Sequence, residues 1–259
     1  MDGILEVALY AALNGGKILK ENFGKSFKID FKGEINLVTH IDRLSEETIV
    51  DIIRDRYPDH QILAEESEGK KSESKYRWII DPLDGTTNYA HGFPFFCVSI
   101  ALEKDSEIIL GIIYDPLLEE LFIAEKDKGA YLNKKKITVS STEDLIHSLL
   151  ATGFPYDLRE TDENNLDHFS NFIMSAQAVR RAGSAALDLC YVAMGRFDGF
   201  WELKLSPWDV AAGSLIVKEA GGIVTDFKGR GFDIYSKEIV ASNKKIHKEM
   251  VEVLKKGKN

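Results

Sequence analysis

The chain of 259 residues contains only two cysteines, Cys97 and Cys190. Both lie among apolar residues, so we expect buried free thiols in a reducing compartment rather than a disulfide framework. The sequence also lacks an apolar run near the ~20 residues that a membrane-spanning helix needs. Its first residues, which include Glu6, Asn14 and Lys17, do not have the pattern of a secretory signal peptide. We therefore expect a cytoplasmic protein without membrane contact.

Positive charge is also scarce, because 33 Lys and Arg stand against 42 Asp and Glu and give a formal net charge of −9. This balance argues against a nucleic-acid complex as the primary role. It would also repel an anionic substrate, unless bound cations reverse the local field. Apolar residues make up 44% of the chain, which is enough for a sizeable core. The composition thus fits a globular protein.

Apolar spacing predicts a series of helices and strands. Helices are expected over residues 2–23, from about Asp42 to Pro58, over 164–178, 184–194 and 208–220, and at the lysine-rich end. Strands are expected at 61–64, 78–80, 95–102, 108–114, 121–124, 130–132, 197–202, 223–225 and 239–242. The dense run of strands predicts a mostly antiparallel sheet flanked by the first two helices. We expect two α/β halves, residues 1–145 and 146–259, that share one cleft.

The stretch of residues 78–88 is central to the functional prediction. Its apolar run ends in two carboxylates, Asp81 and Asp84, with Pro82 between them and Gly85 after them. A buried strand that turns at Pro82 and Gly85 would place both carboxylates at the carboxyl edge of a sheet, where α/β proteins bind ligands. Oxygen ligands at this spacing suit Mg²⁺. Backbone N–H groups after Gly85 would hold an anion if a helix begins there, although such dipeptides also form ordinary turns.

Two further acidic stretches support a metal site. Glu65-Glu66 ends the preceding strand, so Glu65 would lie near Asp81, although a solvated loop is the simpler interpretation of two adjacent glutamates. Asp209 begins a helix, where it either caps the first turn, worth ~1 kcal/mol, or lies at a buried site. The small residues 211–213 would let this helix approach a neighbour closely.

Two patterns suggest other chemistry. Cys190 and Arg196 have the spacing of a cysteine phosphatase, but the surrounding residues predict a buried helix rather than a phosphate loop. His91 follows the central stretch, yet neither an acid nor a nucleophile accompanies it in sequence, so a surface histidine is the simpler interpretation.

Together, these stretches resemble the inositol monophosphatase family of Mg²⁺-dependent phosphatases. The matching segments are residues 36–42, 64–67, 78–88, 180–188, 208–213 and 219–222. The double-aspartate motif with its downstream Trp208-Asp209 is specific, and the resemblance extends from residue ~5 to residue ~245. One position departs from the pattern, because Phe31 stands where the family often has a lysine. A role for the nearby Lys28 or Lys32 is left open.

The resemblance implies an α/β fold (α+β layered), the αβαβα five-layer sandwich of the sugar phosphatases, in a homodimer. It implies metal ligands at Glu65, Asp81, Leu83 (through its carbonyl oxygen), Asp84 and Asp209. It implies substrate binding by Asp84, Gly85, Thr86, Gly183, Ser184, Ala185 and Glu202, with backbone N–H groups of Gly85 and Thr86 on the phosphate. Thr86 and Glu65 would orient the attacking water, and Asp42 would support Thr86.

The expected activity is hydrolysis of inositol 1-phosphate, a small phosphorylated polyol, to inositol and phosphate. Two or three Mg²⁺ ions, with Asp81 shared between sites, would assist in-line attack of water. The resemblance also implies inhibition by Li⁺. Fructose 1,6-bisphosphate or a 3′-phosphorylated nucleotide would suit the same metal chemistry, and a regulatory protein of RNA or transcription complexes is an alternative of another class.

Overall fold

The computed structural model describes residues 2–25, 29–31, 37–67 and 73–256. In these ranges the helices are α1 (Asp2–Asn22), α2 (His40–Arg56), α3 (Thr86–Ala90), α4 (Leu166–Ile173), α5 (Ala185–Ala193), α6 (Pro207–Glu219) and α7 (His247–Lys255). A short 3₁₀ turn covers Leu145–His147. Within the described ranges, every helix falls short of the length and apolar character that a bilayer crossing requires.

The strands form three sheets. They are β1 (Ile29–Phe31), β2 (Leu37–Thr39), β3 (Gln61–Ala64), β4 (Tyr76–Asp84), β5 (Cys97–Lys104), β6 (Glu107–Asp115), β7 (Glu120–Glu125), β8 (Gly129–Leu132), β9 (Lys135–Lys136), β10 (Leu149–Thr152), β11 (Ala178–Arg180), β12 (Gly199–Leu203), β13 (Ile223–Thr225) and β14 (Glu238–Ser242). The larger sheet has the order β3-β4-β5-β6-β7-β8-β9, and the smaller has β11-β10-β12-β14-β13. Within the described ranges, β1 and β2 pair with each other and form a separate two-stranded sheet.

The sheets and helices stack in five layers. One apolar core joins α1 and α2 to the outer face of the larger sheet. A second core encloses α5 and α6 between the two sheets. The third core packs α4 and α7 on the far face of the smaller sheet, where the Phe172 and Trp201 rings stack at 3.9 Å. This arrangement confirms the predicted αβαβα sandwich, whereas the division into halves 1–145 and 146–259 remains a prediction.

Glycine allows the middle layer to pack closely. A Cβ on Gly213 of α6 would lie 2.6 Å from Leu189 Cδ1 of α5. A Cβ on Gly111 of β6 would lie 2.7 Å from the carbonyl oxygen of Ala212. Because both positions lack a side chain, α6 lies directly against α5 and against the larger sheet, as the small residues 211–213 predicted.

The predicted turn at Pro82 is wrong, since β4 continues through Pro82 to Asp84. The pairing with β5 shifts register there, from Asp81 opposite Ser99 to Asp84 opposite Cys97. A proline lacks the N–H for a regular ladder but fits where a strand bulges. Ser45 of α2 donates a hydrogen bond to the carbonyl of Pro82 at 3.1 Å. The chain therefore leaves the sheet only at Gly85.

The helix predicted over 164–178 is shorter, because α4 ends at Ile173 and β11 begins at Ala178. The N–H groups of Ser175 and Ala176 both donate to the carbonyl of Phe172, which closes a turn. β11 then pairs in parallel with β10, a strand that periodicity alone did not reveal. The residues that helical spacing assigned to the end of the helix therefore form a turn and the start of a strand, because pairing with β10 outweighs the local helical preference.

Candidate active site

Three carboxyl groups meet where β4 ends and α6 begins. Asp81, Asp84 and Asp209 each offer an oxygen, and these three oxygens lie within 4.8 Å of one another. Asp209 Oδ2 also accepts the Ser206 N–H at 2.6 Å, within a capping box at the start of α6. Both interpretations of Asp209 therefore apply, because one carboxylate caps its helix and faces the other two acids.

Negative charge accumulates at this cluster. Burial raises the pKa of Asp81 well above its ordinary range, and the charges of Glu65, Asp84 and Asp209 add to the effect. Burial is also the main cause that raises the pKa of Asp209, and the charge of Asp84 is the second cause. The charged neighbours with the largest effect on these two groups are all carboxylates. A set of crowded carboxylate oxygens fits a divalent metal ion such as Mg²⁺.

Glu65 lies beside this cluster. β3 runs parallel to β4 with Ala64 opposite Ile80, so the next residue, Glu65, follows the strand end next to Asp81. Its half-buried side chain lines the same cavity. Among the described residues, Glu65 is not one of the three acids whose oxygens lie within 4.8 Å of one another. Glu65 therefore lies near Asp81, as expected, while its role as a metal ligand stays a prediction.

Asp84 links the two sheets. Its Oδ2 accepts hydrogen bonds from the Ser184 hydroxyl and from the Ala186 N–H, both at 2.7 Å. Burial raises the pKa of Asp84 to about 6, although these bonds oppose the rise. Ser184 is also the N-cap of α5, since its oxygen accepts the Leu187 N–H at 3.3 Å. The start of α5 is thereby fixed against the carboxylate cluster.

Thr86 donates a hydrogen bond toward Asp42, which supports its side chain. The Thr86 hydroxyl lies 3.1 Å from Asp42 Oδ1 and 3.0 Å from the carbonyl oxygen of Leu83. Asp42 is buried in the first turn of α2 and lies outside the cavity, whereas Thr86 and Leu83 line it. Gly85 has φ of 100°, and a Cβ there would lie 2.9 Å from the Phe95 carbonyl oxygen. Only glycine fits this point, where the chain passes from β4 into α3.

The cavity has a volume of about 360 Å³ and extends from the carboxylates to a second wall. The predicted substrate residues Gly183, Ser184, Ala185 and Glu202 form part of that wall. The Glu202 carboxylate fills the space beside Gly153 that a side chain would take. Burial is the main cause that raises the pKa of Glu202 well above its ordinary range. The charges of Asp209 and Asp84 raise it further, and the charge of Arg181 opposes the rise. Every predicted site residue except Asp42 therefore lines one cavity.

The cavity also contains residues that sequence reasoning missed, among them Tyr156, Arg181, Asp188 and Lys204. Burial raises the pKa of Tyr156 to about 12, and the side chain of Thr87 hydrogen-bonds to it. Lys204 pairs with Asp157 at 2.8 Å. Arg181 and Asp188 lie within residues 180–188, one of the segments that resemble the family, so the resemblance could have identified them. Tyr156 and Lys204 reach the cavity from loops without a recognisable pattern.

The patterns for other chemistry do not form sites. Cys190 is buried in α5, where burial raises the pKa of its thiol, and Arg196 donates to Glu120 at 2.7 Å. Cys97 is likewise a buried free thiol. His91 is exposed and is not part of the cavity wall. Phe31 ends β1, and the two lysines near it, Lys28 and Lys32, lie outside the described residues.

Comparison with known proteins gives consistent matches over the whole length. Residues 1–258 match the Inositol monophosphatase family. A fructose-1,6-bisphosphatase/inositol-1-monophosphatase of Aquifex aeolicus is 45% identical over 254 residues, which are 97% of this chain and 95% of that protein. Nus factor SuhB of Pasteurella multocida is 42% identical, with 97% and 95% covered. The structure of inositol monophosphatase from Anabaena (Nostoc) superposes with a TM-score of 0.91 at 44% identity, covering 99% of this chain and 96% of that one.

Proposed function

The chain belongs to the inositol monophosphatase family of phosphatases, and from this premise we propose that it hydrolyses inositol 1-phosphate to inositol and phosphate. The observation that carries the proposal is the single cavity, with clustered carboxylates on one wall and the Glu202 carboxylate on the other. Such a cavity holds a phosphate through cations at one end. At the other end, it offers hydrogen-bond acceptors to a neutral polyol.

The carboxylate wall supports Mg²⁺ as the cofactor, as is general for this family. Asp81, Asp84 and Asp209 would hold the ion or ions, together with Glu65 and the Leu83 carbonyl oxygen. When bound, Mg²⁺ supplies positive charge that attracts the phosphate, activates water and stabilises the leaving oxygen.

The protein groups beside the metal site orient the reactants. The N–H groups of Gly85 and Thr86 would donate to phosphate oxygens. The one hydroxyl proton of Thr86 is directed to Asp42 or to the Leu83 carbonyl, so its oxygen is available as an acceptor. Thr86 would thus accept a hydrogen bond from the attacking water, and Glu65 would accept the second one. This fixes the direction in which the water lone pair points.

The polyol end of the cavity favours an uncharged alcohol. Glu202 is 8% exposed and faces a cavity whose nearby acids already raise its pKa. Carboxyl groups accept hydrogen bonds from hydroxyl groups but repel a second phosphate. Glu202 therefore supports a monophosphorylated polyol as the substrate.

One observation favours a second candidate, fructose 1,6-bisphosphate. Arg181 and Lys204 also line the cavity and carry the positive charge that a second phosphate needs. The Aquifex aeolicus relative carries both activities in its name. The regulatory alternative is supported by the name of the Pasteurella multocida relative, while the net charge of −9 argues against nucleic acid as the primary ligand. We also propose a homodimer in the cytoplasm.

The substrate is tested by comparing kcat/KM for inositol 1-phosphate, fructose 1,6-bisphosphate and a 3′-phosphorylated nucleotide at saturating Mg²⁺. We expect the highest value for inositol 1-phosphate. A clear preference for the bisphosphate would overturn the inositol assignment and assign Arg181 and Lys204 to the second phosphate. Absence of Mg²⁺-dependent hydrolysis of all three would instead contradict the phosphatase proposal and favour a regulatory role.

A further inference from the structure

Tyr156 lines the cavity but has no role in the mechanism above. It lies in the loop of residues 153–165, which joins β10 to α4, and it is 55% exposed. Its neighbour Phe154 packs edge-on against Phe169 at 5.5 Å, whereas the ring pairs of the described residues do not include Tyr156. Packing in a core therefore does not explain the aromatic side chain at this position.

The hydroxyl group of Tyr156 lies deeper than its ring. Burial is the main cause that raises the pKa of this group to about 12, and the charges of Glu65, Asp84 and Asp209 are the next causes. The side chain of Thr87, in the first turn of α3, hydrogen-bonds to it. The ring thus stands at the mouth of the cavity, and the hydroxyl reaches the wall that carries the clustered carboxylates.

The loop that carries Tyr156 is fixed at its ends and near its middle. Asn165 Nδ2 donates to the carbonyl oxygen of Gly153 at 2.7 Å, which joins the first and last residues of the loop. Asp157, the next residue after Tyr156, pairs with Lys204 Nζ at 2.8 Å. The smaller sheet therefore holds the backbone beside the cavity, while the phenol contacts α3, which follows β4 of the larger sheet.

A phenol suits a phosphate that binds beside clustered acids. Its raised pKa keeps it protonated at neutral pH, so it is a hydrogen-bond donor there. The oxygens of a phosphate dianion are acceptors, and the N–H groups of Gly85 and Thr86 would serve only part of them. Unlike a lysine or an arginine, a phenol brings no positive charge that would compete with Mg²⁺ for the carboxylates.

We propose that Tyr156 is a further substrate-binding residue, whose hydroxyl group donates a hydrogen bond to a phosphate oxygen of the bound ester. The phosphate takes the place of the Thr87 side chain as the hydrogen-bond partner, and the ring stays at the mouth of the cavity. Every phosphate ester has this acceptor, so the bond does not select among alcohols. The inference rests on the proposed phosphatase site, but it does not require that the alcohol be inositol.

The first test measures the binding of inorganic phosphate to Mg²⁺-saturated protein by isothermal titration calorimetry, which does not depend on turnover. Tyr156→Phe keeps the exposed ring, so it should fold, and it should bind phosphate about 10-fold more weakly, as for a lost hydrogen bond to a charged group. The rise in Tm that Mg²⁺ alone causes should equal that of wild type, because the phenol is not a metal ligand. Equal phosphate affinity in the two proteins, or no binding to wild type, would overturn the inference.

Tyr235→Phe is the matched control. Tyr235 is 47% exposed, and its hydroxyl donates to Glu103 at 3.1 Å, outside the cavity. The control should keep the phosphate affinity of wild type. A similar loss of affinity in both variants would assign the effect to general destabilisation and would also overturn the inference.

The second test compares kcat/KM for inositol 1-phosphate, glycerol 2-phosphate and p-nitrophenyl phosphate. Tyr156→Phe should lower all three values by a similar factor, about 10-fold, because the esters share only the phosphate. A loss confined to the two polyol esters would place the hydroxyl on the alcohol and overturn the inference.

The two proposals can fail separately. If wild type binds phosphate but hydrolyses none of the esters, the phosphatase proposal fails, and the calorimetry still tests Tyr156. If wild type prefers glycerol 2-phosphate, only the inositol assignment fails. If Tyr156→Phe matches wild type on every ester and in phosphate affinity, the role of Tyr156 is wrong and the phosphatase proposal stands.

Discussion

The hydroxyl group of Thr86 lies 3.1 Å from the buried Asp42 Oδ1, so α2 supports a residue at the start of α3. Asp42 and the Leu83 carbonyl both offer an acceptor for the hydroxyl proton, so in the proposed mechanism the Thr86 oxygen would accept a hydrogen bond from the attacking water. If that mechanism holds, the hydroxyl of Thr86, rather than its volume, is the group on which turnover depends.

Replacing Thr86 by valine should lower kcat about 100-fold or more, because the orienting oxygen is lost while the volume is kept. The free energy of unfolding should fall by only about 1 kcal/mol, as for one hydrogen bond. Steady-state kinetics and urea unfolding measure the two effects. Thr225→Val is the control, since its buried hydroxyl bonds to the Asp226 carbonyl and to His247 Nε2, away from the cavity. A Thr86→Val variant with a kcat within a few-fold of wild type would contradict this role.

Asp84→Asn should abolish Mg²⁺-dependent turnover and leave the fold intact. The amide has one acceptor oxygen for Ser184 and Ala186 but loses the charge that a metal ion needs. Turnover against Mg²⁺ concentration and circular dichroism check both parts. Asp198→Asn is a matched control, because this buried acid accepts from Ser140 and Leu149 outside the cavity. Near wild-type turnover in Asp84→Asn would refute its assignment as a ligand.

Stability without metal should depend on pH through the carboxylates. The pKa of Asp84 is raised to about 6, and those of Asp81 and Asp209 are raised well above their ordinary range. A raised pKa means that the folded state binds the proton more tightly, so this stabilisation is present at low pH. It is lost as the pH rises from about 4 through each folded-state pKa. The metal-free protein is therefore destabilised by these charges at neutral pH.

Mg²⁺ neutralises the same charges, so we expect it to raise Tm most at about pH 7 and least at about pH 5. Thermal melts with Mg²⁺ and with EDTA, at each pH, give this difference. Their subtraction removes the opposing effect of His247, whose pKa burial lowers to about 4 and which destabilises the folded state in acid. A Tm difference independent of pH would show that the clustered acids do not bind the ion.

Gly111→Ala should destabilise the protein by about 1–3 kcal/mol, because its Cβ would press on the backbone of Ala212, which cannot move aside as a side chain can. Urea unfolding provides the measurement. The control is Gly231→Ala, where an added Cβ meets no heavy atom within 4 Å. Equal stability of the two variants would mean that α6 is not packed tightly against the larger sheet.

Li⁺ should inhibit turnover at millimolar concentrations, in keeping with the family likeness. A small cation can take the oxygen ligands of a Mg²⁺ position but brings half the charge to the phosphate. Initial rates with LiCl, compared with KCl at equal ionic strength, test the effect. Indifference to Li⁺ would count against ordinary family behaviour, though not against phosphatase chemistry.

Local sequence was sufficient to predict many elements of the fold. The apolar run of β4 ends in the cavity with Asp81 and Asp84, and Glu65 follows β3 next to it, as predicted. Prediction from local sequence failed where pairing with a distant strand overrides the local preference for a turn or a helix. β4 continues through Pro82 because its pairing with β5 shifts register at that point. β11 forms where the end of a helix was predicted, because its residues pair with β10.

The sequence by itself therefore determined which acids could bind a metal, since their types and their positions at element ends are local properties. Only the tertiary structure decided which residues meet. Ser184 contacts Asp84 across 100 positions, and Asp188 of α5 lines the same cavity. Those positions depend on how closely α5 and α6 pack between the two sheets. The missing side chains of Gly111 and Gly213 allow that close packing. No short-range pattern encodes it.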